Sequence, residues 1–178
     1  THILNDRDEE VISECIEAGC NATPVTLRTS SRACMRLVWM AEGVSAGIEI
    51  AWIVLNRLDP EMQFEQILED GDRVAPGDVA FYVSGRLRSL LQAERILLNI
   101  MQRMSGVATQ TAVYVRKLEG LHTKVLDTRK TTPGMRVLDK MAVKLGGGRN
   151  HRTGPCGMIP LKDQHIDLQG RNAPDTPR

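Results

Sequence analysis

Aromatic side chains are nearly missing from this 178-residue sequence, where two Trp, two Tyr and two Phe make up 3% of the chain. A binder that stacks bases on rows of Phe or Tyr is therefore not expected. Cysteine is also scarce. Cys15, Cys20, Cys34 and Cys156 form no C-x-x-C pair and no His stands at zinc-ligand spacing. They read as reduced, partly buried thiols of a cytoplasmic protein. No apolar run approaches the roughly 20 residues of a membrane span, no signal-like start is present, and no internal repeat stands out. Thr1 in place of Met reads as a start inside a longer reading frame.

Net charge is nearly absent too, at +1, yet the total conceals an asymmetry. Residues 1–80 carry 6 basic and 15 acidic side chains, net −9, whereas residues 81–165 carry 15 basic and 5 acidic, net +10. Either the second block faces an anion, or the two halves neutralise each other within one molecule or across a dimer. The hydrophobic share of 42% and charged share of 25% are globular values, and the length suits one domain or two small ones.

Along the chain, "DEEVISECIEA" (8–18) reads as an amphipathic helix, followed by a Thr- and Ser-rich loop to about residue 33. "MRLVWMAEG" reads as a strand ending at Gly43, and "GIEIAWIVLNRL" as a helix closed by Asp59-Pro60. "EQILEDGDRVAPGDVAFYVSG" reads as strand, turn, strand, punctuated by Asp70-Gly71 and Pro76-Gly77. From Ser89 the texture becomes helical. A Ser89–Gln92 capping box opens one helix that Gly106 closes, and a second runs from about Val107 to Glu119. "TKVLDT", "MRVLDKMAVKL" and "GMIPLK" then read as strand, helix, strand, a parallel βαβ unit. The fold class expected is α/β: an α+β open sandwich over 1–88, the first βα units of an incomplete α/β barrel over 89–166, and a disordered or truncated tail over 167–178.

Ligands of parallel βα layers sit at the carboxyl edge of the strands. Asp127, Arg129 and Lys130 follow the first expected strand, Lys162 follows the second, and Arg149, His151 and Arg152 lie between them. Arginine forks and lysine point charges gathered on one compact, loop-borne rim suit a small polyanion better than nucleic acid. Gly146–Gly148 ends a helix and so is not the strand-to-helix glycine loop that cradles phosphate. Bland readings compete: Arg95 as an exposed helix cation paired with an acid, His151 as a loop histidine satisfied by backbone, Asp127 as a strand-end cap.

"AERILLNIMQRMSGVAT", "LDTRKTTPGMR", "AVKLGGGRNHR" and "LKDQH", in this order, resemble the nicotinate-nucleotide pyrophosphorylase (carboxylating) family, also called quinolinate phosphoribosyltransferase. The likeness spans roughly residues 33–166. It implies transfer of phosphoribosyl from phosphoribosyl pyrophosphate to quinolinate, release of pyrophosphate escorted by Mg²⁺, and loss of carbon dioxide to give nicotinate mononucleotide. By the same resemblance Arg129, His151 and Arg152 match residues gripping the quinolinate carboxylates. Lys130 and Lys162 match catalytic lysines lining the substrate pocket, and Arg95 matches an arginine reaching the neighbouring site of a homodimer. No protein metal ligand is assigned, and neither nucleic acid nor membrane is a partner.

The sequence departs from the family's pattern at Gln164, at Gly157 and at Pro160, which interrupts an expected strand. A closed barrel also needs more strands than this chain contains. The expectation is a truncated family member without turnover, its open strand edges favouring dimerisation. The alternatives are a relative that ribosylates another pyridine or azole carboxylate, and a non-catalytic anion-binding or assembly subunit.

Overall fold

The computed structural model describes residues 31–151. The helix expected at 8–18, the strand expected at "GMIPLK", the tail, Arg152 and Lys162 lie outside the described residues.

Period-two patterning builds the first layer. In β1 (Arg32–Val38) the side chains of Arg32, Cys34 and Arg36 face outward while Ala33, Met35 and Leu37 turn inward. β1 pairs antiparallel with β5 (Val79–Arg86), which pairs antiparallel on its other edge with β3 (Gln63–Gln66). The central strand buries Ala80, Phe81 and Val83. A second, two-stranded antiparallel pair joins β2 (Gly43–Val44) to β4 (Arg73–Val74). The strand expected to end at Gly43 therefore stops at Val38, and Gly43 begins another. The β1–β5 register shifts at Leu37/Val38, and Met40, 86% exposed, leaves the sheet altogether. The single strand–turn–strand expected over residues 65–85 is likewise three strands in two sheets, with Gly71 and Gly77 at positive φ in the turns.

α1 (Ile48–Leu58) buries Ile48, Ile50, Ala51, Val54 and Leu55 on one face. Its first N–H groups are capped from a distance. The Asp70 carboxylate accepts from the Ile48 amide at 2.9 Å and from the Glu49 amide at 3.2 Å. Burial pushes the Asp70 carboxyl above its ordinary pKa, against the opposing pull of these backbone donors.

α2 (Leu87–Lys117) is one helix of 31 residues, about 46 Å at 1.5 Å per residue, where a break at Gly106 was expected. Its buried stripe of Leu97, Ile100, Met101, Met104, Ala108 and Thr111 runs straight through that position. An exposed mid-helix Gly costs about 1 kcal/mol, whereas each large apolar side chain buried returns about 1.5–3 kcal/mol. Burial wins. Nor does Ser89 cap the helix; its hydroxyl donates instead to Asp59 Oδ2 at 3.2 Å, and the N-cap is Arg86. α2 packs against α1 and the sheet with one part of its length, and against α3 (Arg136–Leu145) with the other.

Candidate functional site

Past α2 the chain turns at Gly120 and enters an extended segment. Leu126 bridges Arg149 in parallel: the Arg149 amide donates to the Val125 carbonyl at 2.9 Å and the Asp127 amide to the Arg149 carbonyl at 3.0 Å. The strand expected over "TKVLDT" is thus a single bridge among the described residues, because only Arg149 offers it a ladder partner there. The bridge is parallel and α3 lies between its two segments, but the partner strand expected at "GMIPLK" lies outside the described residues.

The triple glycine makes this return possible. The Gly146 amide caps α3 through the Ala142 carbonyl at 3.0 Å, and Gly147 takes a φ of 85° that L side chains rarely adopt. A Cβ on Gly146 would stand 2.3 Å from the Ala108 carbonyl oxygen, and one on Gly148 would stand 2.7 Å from Val143 Cγ1. These glycines end a helix and let the chain pass close to α2.

At the carboxyl end of the bridged segment lies a hollow of about 310 Å³, lined by Asp127, Thr128, Lys130, Thr131, Lys140 and Arg103 among others. A larger hollow of about 560 Å³ sits at the other end of the segment, around Thr123, Lys124 and Gly147. In parallel βα layers the chemistry belongs to the carboxyl edge, so the smaller hollow is the candidate site.

Two ion pairs from adjacent residues of α3 hold its floor. Lys140 Nζ lies 2.5 Å from Asp127 Oδ2, with both side chains buried, at 3% and 4% exposure. Asp139 meets Arg103 of α2 in a two-pronged pair at 2.8 and 2.9 Å, and this hydrogen bonding raises the pKa of the arginine further. The Thr132 amide also donates to Asp139 at 3.4 Å. Sequence reasoning did not single out Arg103, Asp139 or Lys140. The available signal was a pair of opposite charges beside Leu138 and Ala142, the apolar stripe of a short amphipathic helix.

Of the residues singled out in the sequence, Lys130 lines the hollow, and its amide closes the turn by donating to Thr128 Oγ1 at 2.9 Å. Arg129 is exposed on the same turn but does not line the hollow. His151 is held by its backbone, whose amide donates to Asp127 Oδ1 at 2.8 Å. Arg95 is exposed on α2, and no ion pair joins it to another of the described residues. Asp127 does more than cap a strand end: it ties Lys140 to the 149–151 segment.

Sequence profiles of the two quinolinate phosphoribosyl transferase domains match this chain in tandem, the N-terminal domain over residues 21–105 and the C-terminal domain over 107–174. The chain belongs to the quinolinate phosphoribosyltransferase family. The two profiles meet inside α2, so in this family member a single helix serves both matched regions. A probable nicotinate-nucleotide pyrophosphorylase [carboxylating] of Synechocystis is 42% identical over 134 residues, covering 74% of this chain and 45% of the relative. Quinolinate phosphoribosyltransferase [decarboxylating] 1 of Nicotiana glauca is 40% identical over 153 residues, 85% of this chain and 42% of the relative. The crystal structure of NadC from Streptococcus pyogenes superposes with a TM-score of 0.87 at 34% identity, covering 95% of this chain and 61% of that one. The nicotinate-nucleotide pyrophosphorylase of Francisella tularensis gives 0.82 at 32% identity, covering 90% and 60%. This quinolinate phosphoribosyltransferase family chain therefore spans somewhat less than half the length of the curated relatives it matches. Mixed α and β structure is what the family likeness implied. Among the described residues no helix is long and apolar enough to cross a membrane.

Proposed function

We propose that this chain carries the quinolinate-binding part of a phosphoribosyltransferase that joins quinolinate to phosphoribosyl pyrophosphate and decarboxylates the product. One observation carries the reading: the parallel bridge between Leu126 and Arg149 brings the Arg129-Lys130 turn and the segment leading to His151 to one edge. In this reading Arg129, His151 and Arg152 hold the two carboxylates of the pyridine diacid, with Lys130 and Lys162 supplying further positive charge. Arg95, which has no partner of its own among the described residues, serves the neighbouring site of a homodimer. A cytoplasmic location belongs to the same reading and rests on the unpaired cysteine spacing.

The reaction needs no nucleophilic side chain. The bond between ribose C1 and pyrophosphate breaks, and its electron pair leaves with pyrophosphate. The ring nitrogen's lone pair forms the new bond to C1. The ring is then cationic and accepts the electron pair left on C2 when carbon dioxide departs; a proton replaces it there. Fixed cations favour the leaving charge and hold the ring nitrogen in line. Mg²⁺ belongs to this reading as a companion of the phosphates. Among the described residues no three His, Cys, Asp or Glu side chains converge, and Asp127 at the rim is already engaged by Lys140. These residues do not fit a metal cage of their own.

Calorimetric titration with quinolinate tests the reading, alongside nicotinate mononucleotide formation from quinolinate and phosphoribosyl pyrophosphate. Arg129→Ala should weaken quinolinate binding by about tenfold or more, the worth of one charge-assisted hydrogen bond. Absence of quinolinate binding by the unmutated chain would remove the proposal. Binding without turnover would favour the reading as an anion-binding subunit.

A further inference from the structure

The Asp127 carboxylate, 4% exposed, gathers donors from two other segments. Lys140 of α3 reaches Oδ2 at 2.5 Å, and the His151 amide reaches Oδ1 at 2.8 Å. The Asn150 side chain, with its amide oriented to donate, reaches Oδ2 at 2.9 Å and the Lys140 carbonyl at 3.0 Å. Asp127 itself stands two residues before Arg129 and three before Lys130. One buried acid thus ties the cationic turn after the first segment to the cationic segment after the glycines.

A buried ion pair is a poor device for stability alone. Desolvating both charges costs several kcal/mol, and an apolar pair of similar volume often stabilises a core as well or better. What an acid with three directed donors adds is geometry: hydrogen bonds fix distance and angle where apolar packing leaves both loose. We infer that Asp127, clamped by Lys140, is a positioning residue that sets the spacing between the Arg129-Lys130 turn and the Asn150-His151 segment. Cations on both segments then engage the two carboxylates of one ligand. The acid touches no ligand; it acts through the two segments. This rests on the proposed quinolinate site.

The consequence is selective. A diacid held by both segments depends on their spacing, whereas a monoacid held by one segment does not. Quinolinate and nicotinate, which lacks the 2-carboxylate, are therefore the probes for Asp127→Asn, Lys140→Met and Asn150→Ala in the chain as it stands. Asn150 is exposed, so its truncation leaves the core intact should either buried variant fail to fold. Quinolinate affinity should fall by about tenfold or more while nicotinate affinity changes by less than about threefold, since a misplacement of about 1 Å is costly only where two contacts must be met together. Amide hydrogen exchange read by NMR gives the second measure. The His151 amide should exchange at least about tenfold faster in Asp127→Asn, with amides of α1 unchanged. Equal loss of both affinities in a folded variant, or an unaltered His151 amide, overturns the inference. If the unmutated chain binds neither acid, the quinolinate reading fails, and the His151 amide alone then decides whether Asp127 spaces the segments.

Discussion

Gly146 lies so close to Ala108 that a Cβ would stand 2.3 Å from the Ala108 carbonyl oxygen and 2.7 Å from Thr111 Cβ. The atoms it would meet are helix backbone and the root of a side chain, neither of which can swing aside. The turn after α3 and the middle of α2 are therefore built as one joint, and the positioning of the 149–151 segment depends on it.

Gly146→Ala should destabilise the chain by about 1–3 kcal/mol or more, the range for overpacking a close contact. Gly106→Ala makes the contrast. Gly106 sits within α2 with nothing inside 4 Å of a built Cβ, so alanine there should stabilise by about 0.5–1 kcal/mol. Urea unfolding of the two variants should move the midpoint in opposite directions. Similar shifts of the same sign would mean that the glycine joint is not under steric control.

The Asp70 cap of α1 predicts a pH dependence. Burial raises this carboxyl above its ordinary value of 3.8 in the folded chain, so between that value and the folded one the folded form binds the proton more tightly than the unfolded form. Stability from this group is greatest below that window and declines as pH rises through it. Unfolding of the unmutated chain and of Asp70→Asn, followed from about pH 3.5 to 7, should show the unmutated chain losing its relative advantage with rising pH. The opposite slope would mean that the Ile48 and Glu49 amides outweigh burial.

Arg103 and Asp139 join α2 to α3 beside the candidate hollow. Arg103→Met leaves the Asp139 carboxylate, 11% exposed, with only the long Thr132 contact. The cost should be about 1–2 kcal/mol, below that of a fully buried pair because the arginine is itself 39% exposed. Adding Asp139→Asn should recover part of it, since the stranded charge is then gone. A double variant no better than the sum of the two single ones would indicate that the pair does not interact.

Much of this protein could be read before any coordinates. The apolar spacing of Ile48, Ala51, Val54 and Leu55 marks α1, and alternation marks β1 and β5. The same holds for α3, whose end at the glycines follows from their backbone freedom. The motif order carries the family, and with it the mixed helix and strand content. All of these are local signals, in which each residue's contribution depends on neighbours within a turn or two.

Other features were decided only in three dimensions. Gly106 is a helix terminator by propensity, yet the burial of Met104, Ala108 and Thr111 on either side of it keeps α2 unbroken. Ser89 looks like a cap until Asp59, thirty residues away, claims its hydroxyl. The cap on α1 comes from Asp70, and the anchor of His151 comes from Asp127. A carboxylate in a sequence shows its charge but not its partner. The partner is chosen by whichever donors the folded chain brings into a site that water has left, where an unpaired charge costs far more than it would at the surface.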